Sequence, residues 1–262
     1  MKNFLTELSK LDLAKKWIHE AGEFLKAHMN EPLEISEKTR FDDLVTNFDL
    51  TVQKQLVAQI SKHFPADKIL AEEDEDGQKV RFSKEIAHLW LIDPIDGTTN
   101  FIAQRDNFAI MLAYYEHGKG KFGLIFDVMN DNLYWCDDEN AYRNETQLNV
   151  PNIDLQHSLL GVNAYMYRTN KAGLLDLSQH SLGVRVTGSA GISYTQILDG
   201  KLIAYFSNLQ PWDYAAGTII SEKLGYVTRN LSGTQPSFDG REEVYTAPAK
   251  LLPEIQKYIK MT

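Results

Sequence analysis

The chain has a single cysteine, Cys136, so no disulfide can close within it and no cysteine-built zinc site is available. That scarcity suits a reducing compartment. Its 262 residues hold no uninterrupted apolar run near the roughly 18–20 needed to span a bilayer. Met1-Lys2-Asn3-Phe4-Leu5 runs into charged residues instead of an apolar secretory core. A cytoplasmic protein without membrane contact is expected. Positive charge is also scarce. There are 27 Lys and Arg against 36 Asp and Glu, a formal net charge of −9, and no Lys/Arg cluster rises above the scatter. A nucleic-acid partner is therefore not expected. An anionic substrate would need a local source of positive charge, and a metal ion is the obvious candidate.

Residues 4–29 carry Leu5, Leu8, Leu13, Trp17, Ala21, Phe24, Leu25 and His28 at spacings of mostly three and four, which predicts an amphipathic helix stopped by Pro32. A polar link follows over 36–43. A second helix is expected from Thr46 to His63, with Leu50, Leu56, Val57 and Ile60 inward and Pro65 beyond its end. Ile69-Leu70-Ala71 reads as a short strand leading into the acids Glu72 to Asp76, most of which fit a solvated loop. Strands over 88–92, 108–115, 121–129 and 133–136, with turns at 117–120 and 130–132, make 67–150 a mostly antiparallel sheet. After Pro151, strands at 159–162, 184–186, 201–206 and near 244–245 alternate with helices at 168–179, 189–199, 211–224 and from about 250. No repeat or long linker divides the chain, so one domain over 1–262 is expected, with helices and antiparallel sheet in 1–150 and an α/β half in 151–262.

The stretch that most needs a chemical explanation is Trp90-Leu91-Ile92-Asp93-Pro94-Ile95-Asp96-Gly97-Thr98-Thr99-Asn100. An apolar strand ends in two carboxylates three positions apart, and unpaired buried charge is expensive. Pro94 fixes the backbone between them and biases Asp93 to an extended conformation. Both carboxylates and the Ile95 carbonyl can then face one point, an oxygen-only donor set of the kind a hard cation such as Mg²⁺ takes. Gly97-Thr98 resembles a helix start, whose free N–H groups suit a phosphate. The same spacing is equally open to a plain structural use, with Asp96 capping a helix and Asp93 in a turn. Aspartyl-phosphate hydrolases of the haloacid dehalogenase type use Asp-x-Asp-Gly-Thr with the first Asp as nucleophile. Here that position is Pro94, which cannot attack phosphorus.

Asp93-Pro94-Ile95-Asp96-Gly97-Thr98-Thr99-Asn100 resembles the signature of the inositol monophosphatase family, Mg²⁺-dependent phosphatases related to fructose-1,6-bisphosphatase. Trp212-Asp213-Tyr214-Ala215-Ala216-Gly217 is similar to the family's second motif, Ala71-Glu72-Glu73 to its Gly/Ala-Glu-Glu, and Asp43-Leu44-Val45-Thr46-Asn47-Phe48-Asp49 to its Asp-Leu-Val-Thr segment, with Lys38 upstream. The resemblance covers nearly the whole chain. It implies an αβαβα layered sandwich, a homodimer, inhibition by lithium and two to three Mg²⁺ per site. Glu72, Asp93 and the Ile95 carbonyl would hold one ion; Asp93, Asp96 and Asp213 a second; a looser third would sit near Glu72. Thr98, bonded to Asp49 and helped by Glu72, would orient and activate the attacking water, and the Gly97 and Thr98 N–H groups would bind the phosphate. Taken alone, Asp49 and Asp213 fit first-turn helix acids better than site residues, and Lys38 fits plain surface. His63, His88, His117, His157 and His180 show no metal-ligand spacing.

Gly188-Ser189-Ala190, with Asp96 and Asp213, would line the substrate. Counting back from Asp213 puts Phe206, followed by Ser207, where the family's inositol enzymes carry a glutamate that bonds a substrate hydroxyl. Losing that acceptor should relax selectivity. A small phosphorylated metabolite of the inositol monophosphate kind is expected, with fructose 1,6-bisphosphate and the 2′-phosphate of NADP(H) as alternatives. Thr99-Asn100 stands where relatives that cleave 3′-phosphoadenosine 5′-phosphate carry Lys-Glu. A non-catalytic regulatory protein of the same fold is the reading from a different class.

Overall fold

Leu89, Trp90, Leu91 and Ile92 are each 1% exposed or less, and the layers are built outward from the strand they form. The computed structural model describes residues 9–41, 43–73, 80–149 and 154–260. Its first half runs α1 (Lys10–His28), β1 (Ile35–Glu37), β2 (Leu44–Thr46), α2 (Asn47–His63), β3 (Lys68–Ala71), β4 (His88–Asp96) and α3 (Thr98–Gln104). The strands β5 (Ala109–Glu116), β6 (Lys119–Asp127), β7 (Asn132–Cys136), β8 (Ala141–Arg143) and β9 (Thr146–Gln147) follow. The second half runs β10 (Leu159–Val162), α4 (Ala164–Arg168), α5 (Leu174–Ser178), β11 (Gly183–Arg185), α6 (Ala190–Leu198) and β12 (Ala204–Leu209). It closes with α7 (Pro211–Glu222), β13 (Tyr226–Asn230), β14 (Glu242–Pro248) and α8 (Leu252–Ile255).

Strands β3 to β9 lie side by side in chain order in a seven-stranded sheet, antiparallel except for the parallel pair β3–β4. A five-stranded sheet has the order β11-β10-β12-β14-β13, parallel on one side of β12 and antiparallel on the other. Helices α1 and α2 cover the outer face of the first sheet, and α6 and α7 fill the space between the sheets. Residues of α4, α5 and α8 join the other face of the second sheet in a separate apolar cluster. The result is the expected αβαβα sandwich. Trp90 is fully buried because its indole N–H finds Asp67 Oδ2 at 2.9 Å.

Three expectations change. The link over 36–43 is flanked by a short hairpin in which Ile35 pairs with Thr46 and Glu37 with Leu44. All of β1 is exposed, so no alternation marked it. The helix expected over 168–179 is broken into α4, a 3₁₀ turn and α5, with Asn170, Ala172 and Gly173 at positive φ. The C-terminal segment packs on that break: Lys260 N–H donates to Ala172 O at 3.0 Å, and a Cβ on Gly173 would lie 2.3 Å from Tyr258 O. The strand expected at 201–206 runs over 204–209 instead, which carries polar Ser207 and Asn208 into the sheet. The part of the first helix expected over 4–8 lies outside the described residues.

Glycine decides how closely the middle helices approach the first sheet. A Cβ on Gly123 of β6 would stand 2.5 Å from the carbonyl oxygen of Ala216 and 2.9 Å from its Cα, both backbone atoms of α7. Backbone cannot swing aside as a side chain can, so the helix must lift. Gly123→Ala should therefore destabilise the fold by about 1–3 kcal/mol, the usual range for overpacking. A urea midpoint unchanged from the parent would show that α7 is not seated on this strand.

Candidate active site

The centre of the site is a bulge. On β4, Asp93 pairs with Met111 and Asp96 with Ala109, so three steps on β4 match two on β5. In a regular strand, residues three apart point to opposite faces. The extra residue puts Asp93 and Asp96 on the same face, and Pro94, which has no N–H to give a ladder, sits at such an irregularity without penalty. That face looks toward α6: a Cβ on Gly191 would lie 2.8 Å from the Ala109 Cβ and 3.0 Å from Asp96 Oδ2.

Asp96 is 7% exposed and held by the start of α6. It accepts from Ser189 Oγ, from Ala190 N at 3.0 Å and from Gly191 N at 2.7 Å. Ser189 is also the N-cap of α6, its Oγ accepting from Ile192 N at 3.0 Å. The donors of Ser189 and Ala190 are thus turned onto Asp96, and Gly188 meets the amide of Asn100. Asp93 is 2% exposed, and among the described residues its Oδ1 has no hydrogen-bond partner.

Asp49 serves two elements at once. Its Oδ2 accepts from Thr46 N at 2.8 Å and Thr46 Oγ1 at 2.5 Å, which completes the capping box of α2. Its Oδ1 lies 3.1 Å from Thr98 Oγ1, which also stands 3.0 Å from the Ile95 carbonyl. Thr98 opens α3 directly after Gly97, whose φ of 90° suits glycine. Phe101 N–H donates back to Gly97 O at 3.0 Å, so the N–H groups before it lie outside the helical ladder. Asp213, in the first turn of α7, accepts from Gln210 N at 2.8 Å.

Glu72 follows β3, and its N–H continues the ladder to Ile92 O at 3.1 Å. Lys38, at the end of the β1–β2 hairpin, donates to Glu72 Oε1 at 2.8 Å and also to Glu73. Lys38 is therefore no plain surface residue. Glu73, read from sequence as part of a solvated loop, is 9% exposed. The acids at 74–76 lie outside the described residues.

Burial is the first cause that raises these acids, with their mutual charge behind it. Asp49 and Asp96 are pushed up to about 6 and Glu73 to about 7. Asp93 is raised well above its ordinary value by burial and by the charges of Glu72, Asp96 and Asp213. Asp213 is raised by desolvation and then by Glu72 and Asp96. A side-chain contact with Glu72 raises Asp93 further. Among the described residues, the three ligand atoms found within 4.8 Å of one another belong to His19, Glu23 and Asp131. Those three are exposed, and Lys26 already pairs with both acids.

A profile of the inositol monophosphatase family matches residues 7–260. The chain belongs to the inositol monophosphatase family. It is 37% identical over 242 residues to an inositol-1-monophosphatase of Bacillus subtilis, covering 89% of this chain and 90% of that protein. It is 30% identical to a fructose-1,6-bisphosphatase/inositol-1-monophosphatase of Thermotoga maritima, covering 91% of each. Its fold matches a solved IMPase/NADP phosphatase complexed with Mg²⁺ and phosphate, with TM-score 0.85, 26% identity, 95% of this chain and 94% of that one. The sandwich is thus the inositol monophosphatase fold, and the chain is a phosphoric monoester hydrolase of a family that is metal-dependent. No helix among the described residues is long and apolar enough to cross a membrane.

The sequence points to Asp49, Glu72, Asp93, Ile95, Asp96, Gly97, Thr98, Gly188, Ser189, Ala190, Asp213 and Lys38. The geometry links Thr98 to Asp49 and Ile95, Asp96 to Ser189 and Ala190, and Lys38 to Glu72. It adds Glu73, Asn100, whose Nδ2 donates to Asn107 O and Thr187 O at 2.8 Å each, and Gln53, bonded to Glu73. Gln53 carried one signal in the sequence, its place four residues after Asp49 on one helix face.

The raised acids set a pH rule for the metal-free protein. Asp49 and Asp96 move from 3.8 to about 6, so the folded chain binds their protons more tightly than the unfolded chain does. The stability they contribute is full below about 4 and is lost as pH rises through about 6. In EDTA, melting temperature should therefore fall across that window, and Mg²⁺ should raise it more at pH 7.5 than at pH 5. An equal Mg²⁺-induced rise at both values would contradict this electrostatic account.

Proposed function

We propose that the chain is a Mg²⁺-dependent phosphomonoesterase of small phosphorylated metabolites, with inositol monophosphate-like compounds as its main substrates. The observation that carries the reading is Asp93 Oδ1, a buried carboxylate oxygen without a hydrogen-bond partner among the described residues, facing the charges of Glu72, Asp96 and Asp213. Such an atom is costly unless a cation meets it. The donors are all oxygen, which suits Mg²⁺. Glu72, Asp93, the Ile95 carbonyl, Asp96 and Asp213 would hold two to three ions. Those ions, when bound, offset the charge of the phosphate and leaving oxygen and make water acidic enough to attack near neutral pH.

The remaining roles belong to side chains and backbone. Thr98 gives its hydroxyl proton to Asp49 or the Ile95 carbonyl and keeps lone pairs free to accept from an attacking water. Asp49, whose carboxyl burial raises in the metal-free protein, stands behind it as the acceptor, and Glu72 would border the same water. The N–H groups of Gly97 and Thr98 receive phosphate oxygens at the start of α3. Gly188, Ser189 and Ala190 act through Asp96, whose orientation their segment sets.

Selectivity rests on β12. Phe206 is fully buried and stacks on Tyr245 at 5.3 Å in the second apolar cluster, so it faces away from the centre. Ser207 faces the other way, beside the Tyr205 hydroxyl and the α6 residue Ser193. A short hydroxyl replaces the acid that would select for inositol, which supports a broad substrate range, including sugar bisphosphates and the NADP(H) 2′-phosphate that relatives' names mention. The presence of Glu72, Asp93, Asp96, Thr98 and Asp213 supports this reading over a non-catalytic one. Exposed Leu182 (66%) and Val186 (52%), flanking the edge strand β11, support a homodimer. Inhibition by lithium belongs to the same proposal.

Phosphate release from inositol 1-phosphate, fructose 1,6-bisphosphate and NADP⁺ should require Mg²⁺ and vanish in EDTA. Phosphate release that persists in EDTA would end the metal-dependent reading. Asp93→Asn should lower kcat/KM by more than about 100-fold, beyond what loss of an outer-shell partner usually costs. Because the substitution removes a repelled charge, the metal-free variant should melt no lower than the parent. Near-normal turnover in Asp93→Asn would sink the ligand assignment.

A further inference from the structure

We propose that Gln53 is a positioning residue that holds Glu72 in the centre through a clamp on the backbone of Glu73. Gln53 is 6% exposed on α2, one turn after Asp49, and its face continues into the apolar Leu56 and Ile60. An apolar residue would pack at that position. Instead both ends of the amide are engaged: its Oε1 accepts from Glu73 N at 2.9 Å, and its Nε2 donates to Glu73 O. The first of these bonds grips the peptide that follows Glu72. The peptide that precedes Glu72 is gripped by the ladder bond from Glu72 N to Ile92 O at 3.1 Å. Both peptides flanking the Glu72 Cα are therefore fixed, which sets the direction of its side chain.

The clamp stands where β3, an edge strand paired with β4 alone, has ended at Ala71. It also places the Glu73 carboxylate, which shares Lys38 with Glu72. One turn of α2 thus controls both sides of the site, with Asp49 reaching Thr98 and Gln53 reaching the chain beside Glu72. Without the clamp Glu72 keeps its charge but loses its aim. The ions that need Glu72 bind more weakly, and the chemistry of the filled site is unchanged. The inference rests on the metal-dependent reading above.

The test compares the parent with Gln53→Met, which keeps the volume and loses both bonds, and Gln53→Asn, whose amide is one methylene too short to span them. Three measurements are made on the full chain: Mg²⁺ binding by calorimetry, hydrogen exchange at the Glu73 amide, and kcat against Mg²⁺ concentration. Both variants should expose the Glu73 amide to faster exchange. They should raise the Mg²⁺ midpoint about tenfold, with kcat at saturating Mg²⁺ within about threefold of the parent, as expected when an outer-shell support is lost. If Gln53→Met does not fold, Gln53→Asn alone decides. An unchanged calorimetric midpoint overturns the proposal, and so does a fall in kcat without a shift in midpoint, which would mark a merely structural role. If the parent releases no phosphate with Mg²⁺, the phosphatase reading fails, while calorimetry and exchange still decide the role of Gln53.

Discussion

The structure is arranged around the repulsion between carboxylates that the β4 bulge and its neighbours bring into one buried place. Three of them are tied down by backbone N–H groups. Asp49 has the N–H of Thr46, Asp213 that of Gln210, and Asp96 those of Ala190 and Gly191. Asp93 shows no such bond at Oδ1. A charge held by donors loses less on burial than one facing other charges, so the strain of the cluster concentrates on Asp93. On the function proposed above, that is the atom at which a cation would gain most, because it would offset repulsion and supply a missing partner together.

Four helix starts meet at this place. Asp49 lies in the first turn of α2, Thr98 opens α3, Asp96 sits against the start of α6, and Asp213 lies in the first turn of α7. Each start presents N–H groups and partial positive charge. This answers in part the difficulty raised by a net charge of −9. The protein does not put a basic patch against an anion. It points backbone dipoles inward and stabilises acids with them; on the function proposed above, a cation would complete the charge balance. The sandwich serves this end because its middle layer, α6 and α7, reaches the same edge of the first sheet where β4 stops.

Much of this was legible in the sequence because it is local. The run from Trp90 to Asn100 shows a strand that ends in acids, and the layers follow from period and turn residues. The bulge is not legible, since it is a mismatch between β4 and β5 and belongs to neither strand alone. The clamp from Gln53 to Glu73 joins residues 20 apart through a side chain that looks like ordinary helix surface. Glu73 was misjudged for a related reason. Strand alternation would turn Glu72 and Glu73 to opposite sides, but the chain has left the sheet there, and Lys38 collects both. The strand β1 that precedes Lys38 is short and exposed, so no hydrophobic pattern announced it.

The residue count that placed Phe206 at the family's substrate-binding position shows why alignment by spacing stops short of specificity. In a strand the period is two, and a one-residue difference turns a side chain from the site to the core. Phe206 stacks on Tyr245 within the second cluster, whereas Ser207 shares the face of Tyr205. On that face β12 offers a serine beside a buried tyrosine hydroxyl, both neutral. A neutral hydroxyl can donate or accept, so a partner that lacks a hydroxyl there does not leave a buried carboxylate unpaired. The carboxylates and helix starts commit this protein to phosphate. Selection of what the phosphate is attached to falls to a weaker set of contacts, and for that reason relatives with the same layers carry different substrates in their names.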